Sequence, residues 1–392
     1  MNRAQMPVKP ETFALIERLV GFDTTSRDSN LGLIEWTRDY LKGCGIASRL
    51  IYDATGKKAN LFATVQKGAK PGIVLSGHTD VVPVDGQEWA SDPFKATLRG
   101  DRIYGRGACD MKSYLAVILA MAPRFAAAEL KAPIHFALSY DEEVGCIGAR
   151  GLLEDLARND IRPAGAIIGE PTGMQPVIAH KGKRAYKCCV HGKEAHSALT
   201  PHGVNAIEYA ARIITYIRHM AERLRACEPR DYGFDVPFTT LQTGVISGGT
   251  AGNIVPRECI FHFEFRYLPG ADPDALEREI KDYAERVILP EMQQTDPGTA
   301  ISFETKSDNP GLSMGEADEL THLAQALSRN PSTAKVAYLT EGGLFQKAGI
   351  PAIICGPGSI EQAHKPDEYV TLAQVALCES FMERLLEQMC AG

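Results

Sequence analysis

Four short apolar runs constrain this chain more than any other feature: Ile73–Val74–Leu75, Ile134–Tyr140, Gly165–Gly169 and Ala352–Cys355. Each is the length of a strand and is bounded by turn-forming or polar residues. Helix-period stretches lie between them, at 12–20, 31–41, 113–128, 149–156, 316–328 and 372–389. Strands alternating with helices predict an α/β sheet with helices on both faces. A further strand is expected over 60–65.

The pattern changes character around Gly182. Strands are expected at 185–190, 239–246, 258–266 and 300–306, with helices at 205–226 and 273–287, the latter opening on Pro273. The order β-α-β-β-α-β is that of a ferredoxin-like unit. The organisation expected is a mixed-sheet domain built from residues 1–182 and 309–392, with a smaller α+β domain inserted over 183–308.

The residues just past the four strands are chemically active types. Ser76–Gly77 leads to His78, with Asp80 two residues on and on the same side of an extended backbone. The second run leads into Asp141–Glu142–Glu143, the third into Glu170–Pro171–Thr172, and the fourth into a loop carrying His364. Asp110 sits in a glycine-rich loop just before a buried helix. Open α/β sheets bind ligands in the crevice at the carboxyl ends of their strands. Three acids in a row repel one another in a buried place unless a cation lies among them. Two imidazoles and three or four carboxylates without a thiolate suit borderline divalent ions: zinc first, with cobalt and manganese compatible. The donors exceed one open zinc site, so two ions sharing a carboxylate fit better, and Asp110 is the candidate bridge. An acid behind His78 is the usual support for a metal-binding ring, which is the place expected for Asp80.

Composition narrows the partners. The net charge of −7 argues against a nucleic-acid groove or an anionic membrane surface. No run approaches the roughly 20 apolar residues that span a bilayer. The first 20 residues lack the apolar core of a signal peptide, and the ten cysteines include no C-x-x-C pair. A cytoplasmic protein with reduced, mostly buried thiols is expected.

The motifs GHTDVVP, RGACDMK, DEEVG, GEPT, GKEAHSA and AHKPDEY together resemble those of the co-catalytic zinc amidohydrolase and exopeptidase family. That family includes aminoacylase, carboxypeptidase and the desuccinylase of lysine biosynthesis, and the resemblance spans nearly the whole chain. It implies hydrolysis of an N-acyl amino acid by a homodimer holding two zinc ions. His78, Asp110 and Glu170 would hold one ion and Asp110, Glu143 and His364 the other. Glu142 would be the general base, Asp80 would orient His78, and the inserted domain would act as lid and dimerisation domain. His196 in GKEAHSA would stabilise the oxyanion from the opposite subunit, while Asn253 and Arg266 would grip the substrate carboxylate.

In the family's desuccinylases the segment matching Thr340–Glu341–Gly342–Gly343 carries an arginine where this chain has Gly343. A second substrate carboxylate is therefore disfavoured, and Glu341 is the candidate partner for a cationic side chain. A desuccinylase, a broader acylase or dipeptidase, and a catalytically silent binding protein on the same scaffold stay open as alternatives. The last would be expected to have lost a ligand or the base, and all those positions are intact.

Overall fold

The helix Lys112–Ala127 is apolar around nearly its whole circumference, KSYLAVILAMAPRFAA, and such a helix must be covered on every side. It packs on the strands Ile73–His78 and Gly165–Pro171 and against the helices Pro10–Val20 and Leu372–Cys390. The computed structural model describes residues 7–66 and 70–390.

The chain divides into two compact units, one of Met1–Ala179, Leu312–Lys335 and Thr340–Gly392, the other of His180–Gly311 and Val336–Leu339. The first unit is organised on a mixed sheet, nine-stranded among the described residues. Its order is Ser48–Tyr52, Ala59–Val65, Ile134–Ser139, Ile73–His78, Gly165–Pro171, Ala352–Gly356, Val177–His180 and Leu312–Ser313, with Ala334–Val336 also paired to Val177–His180. The four central strands are the four apolar runs of the sequence, and they are mutually parallel. Every residue of each is buried. His78 pairs with Ser139 and Gly356 with Pro171. This register brings the carboxyl ends of all four strands to one edge of the sheet.

Two glycines permit that packing. A Cβ on Gly169 would lie 2.1 Å from the Tyr114 ring, and one on Gly356 would lie 2.0 Å from the Gly169 carbonyl oxygen. Tyr114 is wholly buried and donates its hydroxyl to the Ile167 carbonyl at 3.2 Å.

A small sheet of Thr97–Arg99, Arg102–Tyr104 and Tyr369–Thr371 was not anticipated. Three-residue strands carry no readable period. The sheet joins distant chain segments: Tyr369 pairs with Tyr104, and the Arg99 guanidinium lies 3.9 Å over the Tyr104 ring.

The second unit has a four-stranded antiparallel sheet, ordered Thr240–Gly248, Glu258–Tyr267, Gly182–His191, Ala300–Asn309. The helices Ala206–Cys227 and Pro273–Tyr283 pack with it around a core containing Ile213, Ile217, Phe261, Phe265 and Ile280. This is the ferredoxin-like arrangement. Asn205 caps the longer helix, accepting from the amides of Ile207 and Glu208. The second helix runs past the expected end through a π-turn at Ala284–Ile288 into Leu289–Thr295. Pro290 lies in the first turn of that last segment, where its missing N–H is tolerated.

All ten cysteines are free. No helix among the described residues is long and apolar enough to cross a membrane.

Candidate metal centre

At the common edge of the four parallel strands, His78, Asp110, Glu143, Glu170 and His364 converge. The ligand atoms of His78, Asp110 and Glu170 lie within 4.8 Å of one another, as do those of Asp110, Glu143 and His364. Asp110 belongs to both groups. Its Oδ1 is 3.0 Å from His78 Nε2 and its Oδ2 is 3.3 Å from His364 Nε2. Glu170 Oε1 approaches His78 Nε2 at 3.7 Å, and Glu143 Oε2 approaches His364 Nε2 at 3.0 Å. One carboxylate thus faces both histidines, one oxygen to each.

Burial and charge shape the titration of these groups. Burial by itself raises the Asp110 carboxyl, but hydrogen bonds from His364 and His78 outweigh it and hold the group well below the usual carboxylate range. His364 is pushed up to about 10 by its hydrogen bonds to Asp110 and Glu143. Burial drives Glu170 and Glu142 well above the ordinary glutamate value, and Glu143 rises for the same reason. Among the described residues, two buried carboxylate oxygens lack a hydrogen-bond partner: Glu170 Oε1 and Glu341 Oε1. A buried carboxyl without a donor either keeps its proton, as the raised Glu170 value reflects, or ionises against a cation. The donor set therefore fits a pair of divalent ions. Cys109 is turned away from it, donating its thiol to the Ser359 carbonyl at 3.3 Å.

Asp80 stands behind His78, as its position two residues on requires, but its carboxylate is engaged elsewhere. His78 Nδ1 donates to the Asp80 main-chain carbonyl at 2.9 Å, whereas the nearest carboxylate oxygen is 3.5 Å away. The carboxylate accepts from the amides of Glu142 at 3.0 Å and Glu143 at 3.3 Å, and from the Ser26 hydroxyl at 2.7 Å. Asp80 therefore holds the turn that carries the two glutamates. The third acid of that turn, Asp141, is paired with Lys58 Nζ at 2.5 Å, which relieves the like-charge crowding anticipated for three adjacent acids. Cys146 donates its thiol to Glu142 Oε1 at 3.3 Å.

Glu341 stands at the N-cap position of the short helix Gly342–Lys347 without a side-chain capping hydrogen bond, and is only 1% exposed. Its Oε2 accepts from the Ser76 hydroxyl at 3.4 Å, and its charge bears on Glu142.

His196, Asn253 and Arg266 belong to the second unit. His196 lies on the short strand Ala195–His196, paired with Ile254–Val255, and its Nδ1 accepts from the Ala198 amide at 3.1 Å. The Asn253 carbonyl accepts from the Ser197 amide at 3.0 Å, placing these two motifs side by side. Arg266 Nε donates to Glu264 Oε1 at 3.3 Å.

Sequence reasoning passed over Ser26, Lys58 and Cys146, whose contacts hold the turn of Asp141, Glu142 and Glu143 and which carry no local signal.

The description "Peptidase family M20/M25/M40" matches residues 74–388. The chain is 35% identical over 390 residues to a Myxococcus xanthus protein named acetylornithine deacetylase, covering 98% of each. Its fold is that of a Staphylococcus aureus tripeptidase, with a TM-score of 0.76 at 21% identity over 98% of this chain and 100% of that one. It is also that of a Bacillus subtilis protein described as a dinuclear metal binding peptidase, with a TM-score of 0.66 at 17% identity over 97% and 98% of the two chains.

Proposed function

We propose, for a chain that belongs to peptidase family M20/M25/M40, that it hydrolyses N2-acetyl-L-ornithine to L-ornithine and acetate, a step of arginine biosynthesis. The observation that carries the chemistry is Asp110 offering one oxygen to each of two histidines that are themselves flanked by Glu170 and Glu143. The substrate reading is supported by the 35% identity to the Myxococcus xanthus deacetylase over nearly the full length of both chains.

His78, Asp110 and Glu170 would hold one divalent ion and Asp110, Glu143 and His364 the other, zinc by preference, with cobalt or manganese also suited to these donors. Bound there, such ions supply a water acidified to near-neutral pKa and polarise the amide carbonyl. Glu142 is the proton carrier: it is partly buried and adjacent to the Glu143 ligand, with its own carboxylate outside both ligand groups. It takes the proton of the attacking water and returns one to the leaving amine. The Cys146 thiol and the Asp80-held turn fix its direction. His196 is assigned to the oxyanion, from a second copy of the chain in a homodimer, and Asn253 and Arg266 to the substrate carboxylate, on the resemblance of their motifs. Glu341 is assigned to the side-chain ammonium of ornithine; its unpartnered Oε1 supports this, and its burial requires the ammonium to reach it from inside the site. A cytoplasmic location goes with a small-molecule biosynthetic step.

The test compares release of free amine from acetylornithine, acetylmethionine and succinyl-diaminopimelate, with and without added zinc. Acetylornithine should be preferred, activity should require metal, and Glu142→Ala should lower kcat about 10²–10⁴-fold with both ions retained. Preference for succinyl-diaminopimelate would favour the desuccinylase reading instead, and a broad profile the general acylase or dipeptidase one. Full activity in Glu142→Ala would remove the base from the mechanism. Metal uptake without amine release from any acyl amino acid or dipeptide would leave a binding protein.

A further inference from the structure

Asp110 and His364 come from loops some 250 residues apart, and neither loop has regular structure at the residue itself. His364 is half-exposed and sits at φ +63°, in the left-handed region that only a few per cent of non-glycine residues occupy. Something other than local backbone preference must set these two side chains in one frame. A closed ring of hydrogen bonds does so.

Glu368 Oε1 accepts from the main-chain amides of Cys109 at 2.8 Å and Asp110 at 3.0 Å. Its Oε2 accepts from Arg106 Nη1 at 2.6 Å, both side chains being 1% exposed. The Glu368 carbonyl accepts from the Gly105 amide at 3.0 Å. From Arg106 the ring continues outward: Nη2 donates to Gln87 Oε1 at 2.7 Å, and the guanidinium lies 5.0 Å from the Trp89 ring. Trp89 Nε1 donates to the same Gln87 oxygen at 3.1 Å, which fixes the amide orientation. Gln87 Nε2 is then free to donate to the His364 carbonyl, at 3.1 Å. The chain from His364 to Glu368 closes the circuit. The small sheet pairing Tyr104 with Tyr369 braces both loops immediately beyond it.

The two links act on different things. Glu368 grips the main chain of the shared carboxylate. Gln87 grips only the main chain of His364. A buried, hydrogen-bonded charge pair such as Arg106–Glu368 gives fixed geometry, because breaking it would strand a desolvated charge.

We propose that Glu368, Arg106 and Gln87 are positioning residues for the metal centre, Glu368 governing both halves through Asp110 and Gln87 governing the His364 half alone. This rests on the reading of Asp110 and His364 as metal ligands. Neither Glu368 nor Gln87 is assigned a contact with substrate or reacting atoms; each acts through a ligand.

The experiment titrates metal-free full-length protein with zinc alone, by calorimetry, and records the melting point of each metal-free variant. Wild type should take up two ions per chain. Gln87→Met removes the hydrogen bonds of a half-buried side chain. It should weaken one binding event about 10–100-fold and leave the other unchanged, while the metal-free melting point falls because Arg106 Nη2 and Trp89 Nε1 lose their acceptor. Gln87→Glu keeps the acceptor for Arg106 and Trp89 but loses the donor to His364, so it should show the same loss at one zinc site with the metal-free melting point kept. Glu368→Gln keeps an acceptor but breaks the charge pair, and should weaken both events. If Glu368→Gln unfolds, the two Gln87 variants decide the matter. Unchanged zinc affinities in both of them overturn the proposal, as does an equal loss at both sites. Failure of the underlying reading looks different: wild type itself would take up fewer than two ions, or Asp110→Ala would bind zinc as wild type does.

Discussion

Removing the Asp80 side chain separates two jobs that sequence position alone would assign to it. In Asp80→Ala the main-chain carbonyl that receives His78 Nδ1 at 2.9 Å is retained, so the histidine stays oriented. What disappears is the acceptor for the amides of Glu142 and Glu143 and for the Ser26 hydroxyl. Three buried or half-buried donors left unsatisfied cost about 1–3 kcal/mol each, so the turn gains several kcal/mol by moving toward other acceptors. A shift of about 1 Å at a reacting group costs about 10²-fold in rate, or about 2.7 kcal/mol. The expected result is a kcat about 10²-fold lower at saturating zinc, with KM within about threefold of wild type. Ser26→Ala, which removes one donor together with its need for a partner, should cost about tenfold or less. The assay is steady-state amine release across a zinc titration. Full recovery of Asp80→Ala by excess zinc would refute the reasoning, because it would mean that the carboxylate serves His78 and metal affinity after all.

Glu341→Gln should raise KM for acetylornithine at least about tenfold, the scale of one lost charged contact, and leave acetylmethionine nearly unaffected; equal effects on the two substrates would dispose of the ammonium-binding role. His135 is held down to about 4 by burial and by the Arg49 charge, below its ordinary 6.5. Its contribution to stability is therefore fully present above about pH 6.5 and is lost as pH falls through about 4, a change of about 3 kcal/mol. His135→Gln should flatten that acid limb in urea titrations at pH 7.5 and 4.5, and an unchanged slope would contradict it. Gly169→Ala drives a Cβ into the Tyr114 ring and should destabilise by about 1–3 kcal/mol or more. Gly43→Ala, at a helix end with nothing within 4 Å, should be neutral or stabilising by up to about 1 kcal/mol. Melting points of the pair test this, and parity between them would refute the close-approach argument.

The central strands were legible because a segment buried on both faces has to be apolar throughout, and Ile73–His78, Ile134–Ser139, Gly165–Pro171 and Ala352–Gly356 are buried along their whole lengths. The meeting of His78, Glu143, Glu170 and His364 was legible for a related reason, since parallel strands in register deliver the residues at and after their ends to one edge, while Asp110 joins them from the loop before the helix Lys112–Ala127. The small sheet at Tyr104 and Tyr369 was not, since three residues cannot express a period.

Sequence by itself determined which residue types reach the crevice, because strand burial and chain direction are properties of short segments. Tertiary structure alone decided where each carboxylate points. Asp80 turns to the Glu142–Glu143 amides, and Glu368 reaches back to Asp110. A carboxylate's direction is chosen among rotamers of similar energy by donors arriving from elsewhere in the chain, and no local pattern records which donors those will be.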